Sequence, residues 1–227
     1  MVFDPVAEPT TDDVVVLTGP GPARVRGTLA ALKKGVALTV LAPDPLFDYL
    51  SRQGKVDGGP VPREIDGMRF DAATYPAPTL ARPREHFLKA SVAAARPGAA
   101  LRRIAEASRL PSCDPWIVEV TFPDGARLLH LDVALHRGTT DAWTSRVAPR
   151  FGNAEWTIAG VAHGESAAVA EWLPRFGVNR VLVAELVNGE RREMGLPTEL
   201  VTPLRDRLVT MGVEAHVFGT LTSFRFE

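Results

Sequence analysis

A segment near the N terminus places the strongest constraint on the fold, because it has the pattern of a strand, a tight turn, a helix and a second strand. Residues 14–17 are an apolar, mostly β-branched run, and the turn 18–21 contains two glycines. Residues 22–34 carry apolar side chains at helical spacing, with Pro22 suited to the first turn and Gly35 to the C-terminal cap. Residues 36–41 form the second strand. Such a βαβ unit implies parallel strands and a right-handed crossover.

The middle of the chain has the pattern of two hairpins with a helical insertion between them. The sequence Ile-Asp-Gly-Met at residues 65–68 predicts a hairpin turn, followed by a return strand at 69–72. A second hairpin is predicted over residues 116–131, where an Asp-Gly turn separates two apolar strands. The stretch at about 79–112 is rich in Ala and Arg and interrupted by prolines, which predicts two short helices on the surface rather than a core element.

The second half of the chain again alternates between strands and helices. We predict helices at residues 166–176 and 197–211. The predicted strands are 156–161, 180–184, 214–218 and 223–226. No linker, low-complexity tract or fixed repeat interrupts the chain, so a single domain over residues 1–227 is the simplest expectation.

The composition excludes several classes of protein. Hydrophobic residues make up 45% and charged residues 23%, with a net charge of -1, which disfavours disorder and general nucleic-acid binding. The single cysteine, Cys113, cannot form an internal disulfide or a thiolate metal cage. The chain has no apolar run suited to a signal peptide or a membrane span. A cytoplasmic protein without membrane contact is therefore expected.

The order of these features resembles the metallo-β-lactamase superfamily. In that family a strand ending in Asp-Pro precedes an acidic residue, an apolar strand, the metal motif Thr-His-x-His-x-Asp-His and a helix. Residues 3–6, 12–18 and 26–34 match these parts in order, and residues 115–132 resemble the family's later hairpin, which makes Asp132 the candidate for the metal-bridging position. The resemblance implies an αββα sandwich that lacks the family's first β-hairpin and carries the helical insertion.

The metal motif itself is degenerate. After Thr18, the family's His, His, Asp and His are replaced by Gly19, Gly21, Ala23 and Arg24. Zinc requires imidazole, thiolate or carboxylate donors, and a hydrolase without the metal loses both its activated water and its Lewis acid. The resemblance therefore implies a catalytically inactive protein with no metal and no cofactor. Arg24 would repel a cation and could attract a small anionic ligand.

A relocated metal site is an alternative. His130, Asp132, His136 and His163 come from strand ends or adjacent loops, and Glu185 stands where the family's last ligand histidine is expected. His130 and Asp132 share a strand face, which permits joint coordination. Two donors on one strand are more often a hydrogen-bonding pair, so we favour the absence of a metal.

A serine hydrolase is a second alternative. Ser166 lies between a predicted strand and helix, where such enzymes place their nucleophile, and Asp206 and His216 follow in that family's chain order. Ser166 equally suits a helix N-cap, and His216 is predicted to lie inside a strand rather than in a loop.

A nucleotide-binding loop is a third alternative. Residues 18–24 link a strand to a helix, and Asp44 would close the next strand, as in a Rossmann-like unit. Against this interpretation, Arg24 replaces the third glycine, and Pro20 and Pro22 remove N–H donors that a pyrophosphate would use. A turn that needs glycine for its backbone angles is the simpler explanation.

Two features bear on partners. The loss of a first hairpin would expose a sheet edge, and a second subunit is the simplest cover, so we expect a homodimer or another protein partner. The arginines of the insertion could serve a partner surface or an acidic ligand, although a solvated helix face is the commoner role. They are Arg82, Arg84, Arg96, Arg102, Arg103 and Arg109. The aromatic residues Trp143, Trp156, Trp172, Phe151 and Phe176 are expected to serve in packing.

Overall fold

The computed structural model describes residues 1–5, 7–75, 82–131, 141–160, 166–184, 188–198 and 200–218. These residues form an α/β protein with a parallel four-stranded sheet, a mixed seven-stranded sheet and eight α-helices, which confirms the predicted class. The strands are β1 Val2–Phe3, β2 Val14–Val16, β3 Leu38–Leu41, β4 Val56–Gly59, β5 Arg63–Ile65, β6 Met68–Thr74, β7 Trp116–Thr121, β8 Arg127–Leu131, β9 Trp156–Gly160, β10 Arg180–Ala184 and β11 Glu214–Phe218. The helices are α1 Pro22–Lys33, α2 Asp44–Ser51, α3 Pro83–Ser91, α4 Pro97–Ala107, α5 Asp141–Phe151, α6 Ser166–Trp172, α7 Asn188–Met194 and α8 Val201–Thr210.

The chain divides into two compact units. The first unit comprises Met1–Arg63, Asp71–Trp116 and Glu193–Leu196. The second comprises Glu64–Phe70, Ile117–Arg192 and Pro197–Glu227. The expectation of a single domain stays a prediction.

The four-stranded sheet has the order β1-β2-β3-β4, and all its neighbouring strands are parallel. The predicted βαβ unit is confirmed, with Pro22 in the first turn of α1. Gly35 follows the helix with a φ of 82°, in the left-handed region that glycine adopts without cost. Val15, Val25 and Val40 belong to one buried cluster, so the apolar stripe of α1 packs onto this sheet.

The seven-stranded sheet has the order β11-β10-β9-β8-β7-β6-β5. Both predicted hairpins are confirmed: Asp66 and Gly67 have positive φ values of 51° and 74°, and β7 pairs antiparallel with β8. Strands β8 to β11 are parallel to one another. The predicted strand at 223–226 lies outside the described residues.

Several helices differ from the predictions. Asp44 begins helix α2 instead of closing a strand, because Leu46 and Leu50 are spaced for burial on one helix face and both are fully buried. Helices α5 and α7 were not predicted either. The predicted helix 166–176 is α6 followed by a short 3₁₀ helix, Leu173–Phe176. No helix in the described ranges has the length and apolar character to cross a membrane.

The insertion contains two helices, α3 and α4, as predicted, and many of their described residues are exposed, but one face is buried, which the expectation of a purely surface element missed. Phe87 and Ala100 are buried in a cluster with Met194 and Leu196. Arg103 is also buried, with 3% exposure, so it does not belong to a solvated helix face. This face is covered by Met194 and Leu196, roughly 90 to 110 positions later in the chain, a contact that local sequence pattern does not reveal.

Candidate functional site

Two buried polar residues meet at the carboxyl edge of the four-stranded sheet. Asp4 follows β1 and Thr18 follows β2, and these strands are parallel neighbours. The backbone N–H of Thr18 donates to Asp4 Oδ1 at 2.8 Å, and Thr18 Oγ1 donates to Asp4 Oδ2 at 2.6 Å. Asp4 has a φ of 41°, a left-handed conformation that aspartate tolerates better than most side chains. The chain folds back at Asp4 so that its carboxylate reaches Thr18.

Arg24 completes this arrangement. It lies in the first turn of α1 rather than on the preceding loop, and its Nη1 donates to Asp4 Oδ2 at 2.7 Å and also contacts Thr18 Oγ1. The Arg24 side chain is 17% exposed and that of Asp4 only 3%. A cation in the first turn opposes the helix dipole, and the Asp4 carboxylate offsets this cost. We call these three residues the Asp4–Thr18–Arg24 cluster.

The remaining positions of the degenerate motif carry no metal-binding group. Gly21 is the N-cap of α1, and Ala23 lies in its first turn. A Cβ added at Gly19 would lie 3.2 Å from Pro115 Cβ, and one at Gly21 would lie 3.2 Å from Arg24 Cδ. Larger side chains would therefore require neighbouring atoms to shift. The prediction identified Arg24 as the charged group of this segment but did not foresee that Asp4 binds it.

Most of the residues suggested for a relocated metal site lie outside the described part of the chain. His130 lies on β8 with 1% exposure, in register with Val118 of β7 and Ile158 of β9. Four other candidates, Asp132, His136, His163 and Glu185, lie outside the described residues. Within the described part of the chain, no group of three or more His, Cys, Asp or Glu side chains is arranged to hold a metal ion. The relocated metal site therefore stays an untested alternative.

Two residues of the serine alternative, Asp206 and His216, have contacts with other side chains. Ser166 is the first residue of α6 and is half-buried. Asp206 Oδ1 accepts a hydrogen bond from Arg205 Nε at 2.9 Å. His216 lies inside β11, as predicted, and its Nε2 is 3.1 Å from Glu214 Oε1. The hydrogen bond with His216 and the charge of Arg180 hold the pKa of Glu214 below its usual value.

The aromatic residues pack as expected. Trp143 stacks on Trp172 with ring centroids 6.3 Å apart, and Trp172 meets Phe176 edge-on at 4.6 Å. Trp172 Nε1 donates to Thr144 Oγ1 at 3.0 Å, which satisfies the buried indole. These contacts account for the three rings as packing within the second unit.

Comparison with known proteins assigns no family. No family model matches the chain, and no curated protein is significantly similar to it. The metallo-β-lactamase resemblance therefore depends on the order of elements and on the matches at residues 3–6, 12–18, 26–34 and 115–132.

Proposed function

We propose that the chain is a catalytically inactive, metallo-β-lactamase-like protein that acts in binding or assembly. Its proposed architecture is the αββα sandwich with a helical insertion. The observation that carries this proposal is the Asp4–Thr18–Arg24 cluster. A guanidinium lies against the buried carboxylate beside the degenerate motif, in a family whose members use that region to hold a metal.

The electrostatics of the cluster support inactivity. Both oxygens of the Asp4 carboxylate already accept hydrogen bonds, from Thr18 and Arg24. A divalent cation beside Asp4 would have to displace the guanidinium or tolerate it at close range, and the repulsion between like charges is strong where water is excluded. The Arg24 charge thus neutralises Asp4. Unlike a metal ion, it offers no open coordination position for a substrate and does not lower the pKa of a bound water.

The test is a combined measurement of metal content and turnover. The purified chain is incubated with zinc, manganese or iron(II), dialysed, and assayed on a p-nitrophenyl ester, a lactone and bis-p-nitrophenyl phosphate, with and without EDTA. We expect metal well below stoichiometry and no EDTA-sensitive turnover. A stoichiometric metal together with EDTA-sensitive hydrolysis would overturn the proposal.

The same protein preparation can be used to test the serine-hydrolase alternative. A fluorophosphonate probe is added to the wild-type chain and to the Ser166→Ala variant as its matched control. We expect the same low labelling of both proteins. Labelling that depends on Ser166 would instead support a serine hydrolase.

We also propose that the assembly is a homodimer. In the described part of the chain, β11 is the last strand of its sheet, and Val217 on this strand is 41% exposed. Val209 and Met211, which lie at and just beyond the end of α8, are about half exposed. Light scattering coupled to size-exclusion chromatography should give twice the mass of the chain at micromolar concentration. A monomer at that concentration would contradict the dimer.

A further inference from the structure

Two arginines, Arg52 and Arg109, line one groove in the first unit. This groove is separate from the Asp4–Thr18–Arg24 cluster. Its volume is about 360 Å³, within the size range of small-molecule sites. Helix α2 contributes Asp48 and Tyr49, and its C-cap is Arg52. The segment after α4 contributes Arg109, Leu110 and Pro111.

The charged side chains of this groove make no hydrogen bond or ion pair with the rest of the described chain. Arg52 and Arg109 are both exposed, and neither guanidinium has a hydrogen bond or ion pair with another described residue. The same holds for the side chains of Asp48 and Tyr49. The partly buried Arg24 and the buried Arg103 are different, since each is paired with a carboxylate.

We propose that this groove binds a small organic oxyanion, a phosphate or carboxylate attached to an apolar group. Guanidinium groups present donors in a planar fork that matches the oxygens of such anions. Tyr49, Leu110 and Pro111 also line the groove, and residues of these types offer apolar surface to the rest of the ligand. This site is independent of the proposed loss of catalysis, because none of its residues belongs to the degenerate motif.

Both arginines also follow helix C-termini, where a cation offsets the helix dipole. That role explains each arginine by itself, but it does not require them to share a groove with an aromatic ring. Asp48 adds one negative charge, so the four polar groups have a net charge of +1. Removing the Asp48 charge should therefore strengthen anion binding, which a purely structural role of the arginines would not produce.

The test is isothermal titration calorimetry, in which phenyl phosphate or benzoate is titrated into the purified full chain at low salt. Phenol is the uncharged comparison, and circular dichroism verifies that each variant is folded. We expect at least one of the two anions to bind more than tenfold tighter than phenol. The double variant Arg52→Gln/Arg109→Gln should weaken this binding at least tenfold, whereas Arg102→Gln, an exposed arginine on α4, should leave it unchanged.

The variant Asp48→Asn should tighten binding of the same anion severalfold, and added salt should weaken it. If only phenyl phosphate or only benzoate binds, the site is supported, and the result shows whether it prefers a phosphate or a carboxylate. The proposal is overturned if neither anion binds better than phenol, or if the double variant binds as tightly as the wild-type chain.

Discussion

Asp4 Oδ2 accepts a hydrogen bond from Arg24 Nη1 at 2.7 Å, so a residue just after the first strand is joined to the first turn of helix α1. The same N-terminal segment meets the helix again one turn later, where the Gly27 N–H donates to the Pro5 carbonyl at 3.0 Å. The ion pair and this close backbone approach hold the N-terminal segment against α1.

The first prediction concerns the coupling within this ion pair. Asp4→Asn keeps the size of the side chain but leaves the Arg24 charge without its counter-ion, which should lower the free energy of unfolding by about 3 kcal/mol. Arg24→Met should also destabilise the fold, because the Asp4 carboxylate then lacks a cation. The double variant should lose clearly less than the sum, since neither charge remains. Urea unfolding of the four proteins measures the coupling, and additive losses would contradict it.

The second prediction concerns Gly27 of helix α1. Alanine normally stabilises a helix relative to glycine, but a Cβ at this position would lie 2.1 Å from the Ala7 carbonyl oxygen and 2.4 Å from that of Pro5. Gly27→Ala should therefore lower the free energy of unfolding by about 3 kcal/mol, because backbone must move. Gly98→Ala in α4 is the matched control, since nothing lies within 4 Å of its Cβ. Thermal unfolding should show the control at or slightly above wild type.

The third prediction concerns pH. Burial, with a smaller contribution from Asp114, raises the pKa of the Cys113 thiol to about 12. In the unfolded chain the thiol ionises near its usual pKa, so the unfolded state loses this proton at lower pH. Stability should fall as pH rises above about 9, by up to about 1.4 kcal/mol per pH unit from this group alone. Urea unfolding at pH 8 and 10.5 measures the slope.

Cys113→Ala is the control for that slope. The variant should show a shallower loss of stability over the same pH interval, because the group that ionises only in the unfolded state has been removed. Equal slopes in the two proteins would mean that Cys113 does not carry the effect. The tyrosine and lysine contributions are common to both and cancel in the difference.

The fourth prediction concerns the buried guanidinium of Arg103, whose Nη2 contacts Glu193 and whose Nη1 lies 2.5 Å from Glu106 Oε2. Glu193→Ala removes an acceptor from a side chain that is 4% exposed and should cost about 1–3 kcal/mol. Arg103→Met should cost less, because water can solvate the two half-exposed carboxylates that remain. Chemical denaturation of both variants gives the order, and a larger loss for Arg103→Met would contradict the argument.

The sequence pattern predicted correctly those elements whose conformation is set by a few adjacent residues. The helix from Pro22, the turn at Asp66 and Gly67, and the hairpin of β7 and β8 were all predicted correctly, since proline geometry, positive φ and alternating burial are properties of a few adjacent residues. Helix α2 was missed because it is only 8 residues long, carries a single fully buried apolar pair, Leu46 and Leu50, and begins soon after strand β3. The candidate site was likewise predicted only in part. Thr18 and Arg24 were recognised from the sequence, but their environment depends on Asp4, which lies 14 and 20 positions away.

By itself, the amino-acid sequence determined the α/β class and the absence of ligating side chains at Gly19, Gly21 and Ala23, because secondary-structure periodicity and side-chain chemistry belong to each segment alone. Only the tertiary structure decided that Arg24 is neutralised by Asp4 and that Arg103 is buried against Glu193. It also decided that Arg52 and Arg109 line one groove. The physical reason is that the environment of a charge depends on which distant segments exclude water around it, and the chain brings those segments together only when the sheets and helices pack.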